Sequence, residues 1–400
     1  MGIVKEAWLR EMERGHSGGE GHICSKCVED EWLKQWICDT AEKKRCSFCG
    51  RRSKKDIAAH FEDFVEVVMN GIKFHWNDPD NEGIMYVSAE GGYQASISDT
   101  SEVLWDLGVS ENDAVVDALN RSNHDNGWVS RSYYTGSQEE ILIDGWARFK
   151  DVIKHQSRYF FLSPNENDYA FGPEIAPHAM LDAIAGVILG DLADYELVRS
   201  ISTDSELVRV RLDQKRHHLA SEIGTPPARF ANQSNRMSPA GVPMFYGAFD
   251  RKTALAETFD PEVHTGQIAS IGRFRPVRDL LVLDLDKLPE VPSIYDEEGS
   301  YLIHPLSFLH SLAYDISKPI ARDGREHIEY VPTQIVTEYF RRVFKVGGRH
   351  IDGLSYRSSK AKGKAAFVLF CENEQCTEGE PTPNGNAMLK LLKVSHKKLG

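Results

Sequence analysis

No stretch of the chain approaches the roughly eighteen consecutive apolar residues that a membrane-spanning helix requires. Nor does Met1 to Arg14, charged and amphipathic, read as a secretion signal. The expectation is a cytoplasmic protein with no membrane partner. Positive charge is in short supply as well: 47 Lys and Arg stand against 60 Asp and Glu, a formal net charge of −13. That balance opposes a broad grip on a phosphate backbone, so extended nucleic-acid binding is not expected, although Arg51, Arg52, Lys54 and Lys55 make a local basic run. No Gly-x-Gly-x-x-Gly follows a strand and opens a helix, which argues against a dinucleotide-binding dehydrogenase. Internal repeats and low-complexity tracts are missing too. With 41 % hydrophobic and 27 % charged residues, what remains is an ordinary globular composition. Its 400 residues exceed one comfortable core and suggest two or three domains.

The cysteine count is odd. Of seven, four fall into close pairs, Cys24-x2-Cys27 and Cys46-x2-Cys49, with eighteen residues between the pairs. A Cys-x2-Cys bend puts two sulfurs on one side of a tight turn, and two such bends close a tetrahedral four-thiolate site suited to structural Zn²⁺. His22 and His60 are the nearest substitutes for a thiolate, and Gly50 suits the turn after the last cysteine. The competing reading is four ordinary thiols or a redox pair. Cys38, Cys371 and Cys376 are left over.

Hydrophobic spacing divides the chain further. Val28, Trp32, Leu33, Trp36 and Ile37 predict one helix, and Ile57, Phe61, Phe64, Val65 and Val68 a second, starting near Lys54. Residues 1–72 therefore read as a zinc-binding helical module. Residues 73–200 read as a mixed, mainly helical middle region without assignable chemistry, closed by Pro164, Pro173, Pro177 and an apolar helix from about Ala179 to Leu189. Beyond it the pattern is strand-rich: Leu207 to Leu212, Met244 to Ala248, Ile268 to Phe274, Leu280 to Leu285 and Ala366 to Cys371. Helices are expected over Thr253 to Phe259 and Pro332 to Phe344. The fold class is α+β, with a mixed α/β domain over residues 201–375 and a polar Gly/Pro/Asn tail over 376–400.

Within the C-terminal domain an arginine, Arg236, stands ten residues before Tyr246, and Glu257 follows eleven residues later on a helix containing Ala254, Leu255 and Ala256, whose small alanines allow close approach to the sheet. Taken singly, these are a surface arginine, a half-buried strand tyrosine and a solvated helix carboxylate. Their order and spacing say more. Arg236, the Gly241 to Ala248 strand and the Ala254 to Glu257 helix resemble the RES family, named for its arginine, glutamate and serine, whose members are NAD-degrading enzymes often found as bacterial toxins. The family serine matches Ser358 within Asp352-Gly353-Leu354-Ser355-Tyr356-Arg357-Ser358, and its early strand arginine matches Arg209, with Arg211 and Arg229 as competitors. The cysteine-containing N-terminal region resembles one attached to longer RES proteins and described as related to HEPN domains.

That resemblance implies a C-terminal domain like the ADP-ribosyltransferase fold behind a mainly helical region with a zinc-ribbon-like module. It implies NAD as a consumed substrate, cleaved between nicotinamide and ribose by a glycohydrolase or phosphorylase. Glu257 would hold the ribose 2′-hydroxyl and stabilise an oxocarbenium ion, Arg209 and Arg236 would bind the pyrophosphate, Tyr246 would line the nicotinamide pocket, and Ser358 would donate a hydrogen bond rather than act as a nucleophile. Zn²⁺ would be structural, and an antitoxin or regulatory protein the expected partner; an oligomer is compatible with all of this. The alternatives are a mono-ADP-ribosyltransferase acting on a protein, or a zinc-ribbon adaptor with an inactive RES domain. A HEPN-type ribonuclease built on Arg322 and His327 is disfavoured, because Asp323-Gly324 signals a turn.

Overall fold

The computed structural model describes residues 15–123, 127–162, 174–318, 324–380 and 385–400. It resolves into two compact units: one comprises residues up to 138 together with 291–304, the other residues 139–290 and 305–400. The boundary near 138 lies well before the proline-marked one expected near 200. Pro164 and Pro173 lie outside the described residues. Among the described residues no helix is long and apolar enough to cross a membrane.

In the first unit, β1 (His22–Cys24) pairs antiparallel with β2 (Ala58–His60). Helix α1 (Glu31–Thr40) is capped by Asp30, whose carboxylate accepts the Leu33 amide at 2.8 Å, and it buries Leu33 and Ile37. Helix α2 begins at Phe61 and ends at His75. It starts later than the expected Lys54 because residues 51–60 form a turn and β2, leaving Ile57 outside the helix. Helices α3 (Thr100–Asp106) and α4 (Asp113–Ser122) follow. Ile23, Leu33, Phe61, Phe64, Val68 and Leu119 share one core with three of the paired cysteines. The unit also takes in residues 291–304, whose Tyr295 ring rests on α2 at Gly71; a Cβ there would lie 2.3 Å from the ring.

The second unit opens with α5 (Gln138–Asp151) and α6 (Met180–Gly186) and is built on one nine-stranded sheet. Its strands are β3 (Val198–Ile201), β4 (Leu207–Asp213), β5 (Phe245–Ala248), β6 (Ile268–Pro276), β7 (Leu280–Asp284), β8 (Gly353–Arg357), β9 (Ala365–Leu369), β10 (Cys376–Thr377) and β11 (Leu389–Lys398). They lie in the order β10-β11-β6-β4-β5-β9-β8-β7-β3. The sheet is mixed: β7 with β8 and β10 with β11 run parallel, the other neighbours antiparallel.

The expected tail from residue 376 is corrected. Leu389–Lys398 is a strand paired along its length with β6, and Leu389 and Leu391 fill the core with Phe245, Phe274 and Phe367. Its second half, Lys393 to Lys398, reads polar because much of it is exposed. A second cluster on the other side of β4 joins Val208, Val210, Ala248, Ala254 and Ile271. Helices α7 (Ala220–Ile223), α8 (Arg251–Thr258), α9 (Ile303–Ser317) and α10 (Val331–Arg342) complete the layers; α9 was not anticipated, since its apolar residues run all round.

Candidate active site and metal centre

Helix α8 carries the candidate carboxylate. Asp250 caps it by accepting the Thr253 amide and hydroxyl, both at 2.8 Å, and the Thr253 amide bond above all holds the Asp250 carboxyl below its usual range. Small residues let the helix lie close to the sheet: Ala254 is buried against Val208, Val210 and Ala248. This fixes Glu257 in the last turn, half-buried, at the wall of a cleft of about 380 Å³. Arg236, Tyr246, Tyr330, Tyr356 and Lys360 line the same cleft.

Ser358 follows β8 directly, and its side chain is buried. Its hydroxyl donates to Glu257 Oε1 and accepts the Ala361 amide at 2.9 Å. Residues 101 positions apart are thereby joined. The hydroxyl proton is committed to the carboxylate, so Ser358 orients Glu257 here, rather than presenting its donor to the cleft.

Tyr246 is half-buried on β5, and burial pushes its phenol up to about 12. Its hydroxyl shares a hydrogen bond with Ser238 Oγ at 2.9 Å. Strands β4 and β5 pair only at Val208 and Ala248, and they diverge beside a second cleft of about 330 Å³. Tyr246 and Asn235 line both clefts, and Arg209 lines the second.

The two arginines are held differently. Arg209 Nη1 donates to the Tyr246 carbonyl at 2.9 Å, the guanidinium lies 5.1 Å from the Phe245 ring centre, and burial pulls its pKa down to about 10. Arg236 Nη1 donates to the Ser317 carbonyl at the end of α9, 2.5 Å away, while Thr333 and Gln334 of α10 hold the carbonyls of Arg236 and Asn235. In both side chains Nε is buried with no hydrogen-bond partner among the described atoms. A guanidinium with unused donors suits an anionic ligand. Of the competing arginines, Arg211 is tied to the Glu222 carbonyl at 2.5 Å, and Arg229 is exposed over Phe230.

Tyr356, Tyr330 and Lys360 were not singled out from the sequence. Tyr356 was visible in the serine-bearing stretch; it is buried beside Glu257, and burial followed by that carboxylate raises its pKa. Arg322 and Asp323 lie outside the described residues, and His327 sits in the short helix Glu326–Glu329.

In the first unit the four paired cysteines come together, with all four sulfurs within 4.8 Å of one another. Cys24 and Cys27 are 3.9 Å apart, Cys24 and Cys49 3.6 Å, and Cys27 and Cys46 3.8 Å. Sulfurs around a tetrahedral ion with bonds of about 2.3 Å would be roughly 3.8 Å apart, so the cluster can hold a metal ion. Burial pushes the Cys49 thiol up, but the Arg51 amide and hydrogen bonds from the other thiols outweigh it and bring Cys49 to about 7. Gly50 turns the chain at φ 70°. The Asn112 amide lies 3.9 Å from the Cys27 sulfur. His22 is bonded to Glu42 at 2.8 Å and His60 caps α2, which leaves the sulfurs as the ligand set.

Two family models match the chain. Residues 206–390 match the RES domain, and residues 39–167 match HEPN/RES N-terminal domain 1. No curated protein and no solved structure matches.

Proposed function

From the premise that this chain is a RES-domain protein carrying a HEPN/RES N-terminal domain, we propose that its C-terminal unit degrades NAD by cleaving the bond between nicotinamide and ribose. The observation that carries this reading is the meeting of Arg236, Tyr246 and Glu257 in one cleft, with Ser358 bonded to the carboxylate.

Nicotinamide is bound to ribose as a cation and leaves as a neutral molecule, so no acid need protonate it. What the reaction needs is stabilisation of a positive ribose oxocarbenium ion. Glu257, held by Ser358, supplies a fixed negative charge at the ribose and accepts its 2′-hydroxyl. Arg236 at one cleft and Arg209 at the next bind the pyrophosphate, and the unused Nε donors support that role. Tyr246 stays protonated at neutral pH, since its pKa is about 12. It provides an aromatic wall for the nicotinamide.

The attacker is water or inorganic phosphate, making the protein a glycohydrolase or phosphorylase; the second unit then takes an ADP-ribosyltransferase-like fold. In the first unit the four thiolates hold structural Zn²⁺ in a zinc-ribbon-like module, and the metal takes no part in the chemistry. NAD depletion in the cytoplasm would make the chain a toxin or defence effector, checked by an antitoxin or regulatory protein.

The test is the product formed from NAD with and without phosphate. ADP-ribose identifies hydrolysis, and ADP-ribose 1″-phosphate identifies phosphorolysis. ADP-ribose attached to a protein would replace both by transferase activity. Intact NAD in the presence of folded protein removes the enzymatic reading and leaves the adaptor.

A further inference from the structure

Two thiols outside the metal cluster lie against each other in the second unit. Cys371 follows β9, Cys376 opens β10, and their sulfurs are 3.7 Å apart. Both residues are buried, Cys376 with 7 % of its surface exposed. The chain between them is a single turn, Asn373–Gln375, closed by the Glu372 amide donating to Gln375 Oε1 at 2.8 Å. The Asn373 side chain clamps this turn to the carbonyls of Ser221 and Thr225, at 2.9 and 2.5 Å. On the far side Gly224 abuts Cys376 so closely that a Cβ there would lie 2.7 Å from its sulfur. The sulfurs are therefore held together by their surroundings, and neither has a role in the cleft chemistry.

We propose that Cys371 and Cys376 form an oxidisable dithiol, closed to an intramolecular disulfide by a peroxide and reopened by a thiol reductant. The Cys376 thiolate attacks the peroxide, so that an S–O bond forms, the O–O bond breaks and hydroxide leaves. The Cys371 sulfur then attacks the sulfenic acid: S–S forms, S–O breaks, and the second hydroxide takes the Cys371 proton as water. In sum, two thiols and hydrogen peroxide give one disulfide and two waters.

The order of attack follows from the surroundings. The hydrogen bond between Cys371 and Cys376 pulls Cys376 down despite burial, and Thr225 and the Arg209 charge act in the same direction. The same bond, with burial, pushes Cys371 up. Cys376, which alone of the pair keeps some exposed surface, is thus the nucleophile, and the fully buried Cys371 the resolving thiol. Oxidation also removes the negative charge through which Cys376 interacts with the Arg209 guanidinium.

The experiment uses full-length, zinc-loaded, reduced protein exposed to equimolar hydrogen peroxide, quenched in acid, unfolded, alkylated and mapped by mass spectrometry. The expected result is a peptide in which Cys371 and Cys376 escape alkylation through loss of two hydrogens. Dithiothreitol should restore both alkylation sites. In Cys371→Ala, with folding checked by circular dichroism, Cys376 should stop at a sulfenic acid trapped by dimedone. Full alkylation of both cysteines after treatment overturns the proposal, as does sulfinic acid at Cys376 beside an alkylated Cys371. Neither readout depends on NAD cleavage.

Discussion

At the scale of single residues, the short link between Ser358 and Glu257 decides how the site is read. Ser358 donates to one oxygen of the carboxylate, and its own position is fixed by the Ala361 amide. Ser358→Ala should therefore lower kcat by on the order of tenfold or more with a smaller change in KM, because a loosened Glu257 misplaces its charge in the transition state. A pure KM effect in steady-state kinetics would instead make Ser358 a substrate contact. Arg236→Ala should raise the KM for NAD by about tenfold or more, through loss of a guanidinium at the pyrophosphate; an unchanged KM contradicts that role. Tyr246 offers a pH test. Its folded value of about 12 lies above the value of about 10 expected for an unfolded chain, so the stability tied to the neutral phenol is complete below about pH 10 and lost as pH rises through about 12. Ultraviolet titration of wild type and Tyr246→Phe should differ by one phenol ionising near the upper value.

At the scale of elements, the legible parts were those in which local chemistry and packing agree. Helix α8 was readable from the helical spacing over Thr253 to Phe259 and from its alanines, which suit close packing on the sheet; Glu257 lies on the wall of a cleft. Strand β4 was readable by its alternation. Less legible was β11: only its first residues are apolar, because only they reach the core, and its pairing with β6 is a long-range contact that leaves no periodic mark. Tyr356 and Lys360 were missed for a related reason, since a residue beside Glu257 in space is about a hundred positions away in sequence. The serine motif was found, but its bond to the carboxylate came only with the fold. A close approach legible only in three dimensions also yields a test. Gly71 on α2 leaves no room for a methyl group under the Tyr295 ring, so Gly71→Ala should destabilise the protein by about 1–3 kcal/mol, although alanine is the better helix former. A raised melting temperature for that variant would contradict the packing.

At the scale of the whole molecule, two units are stabilised by different means. The second rests on a broad sheet with buried phenylalanines on one side and small aliphatics on the other. The first also has an apolar core, but it includes three of four clustered cysteines, whose thiolates without a cation would repel one another. Metal analysis should give one zinc per chain, and a strong chelator should lower the melting temperature of the first unit; no bound metal and no effect of chelation would reduce the cluster to free thiols. The chain-level claim, that this fold serves to consume NAD, depends on one carboxylate. Its most direct test is the release of nicotinamide from NAD by wild-type protein and by Glu257→Ala, followed side by side at equal concentration with folding verified. Wild-type protein should release nicotinamide in step with NAD loss, and the variant should do so at a rate lower by about a hundredfold or more. Equal rates for the two proteins would contradict the claim.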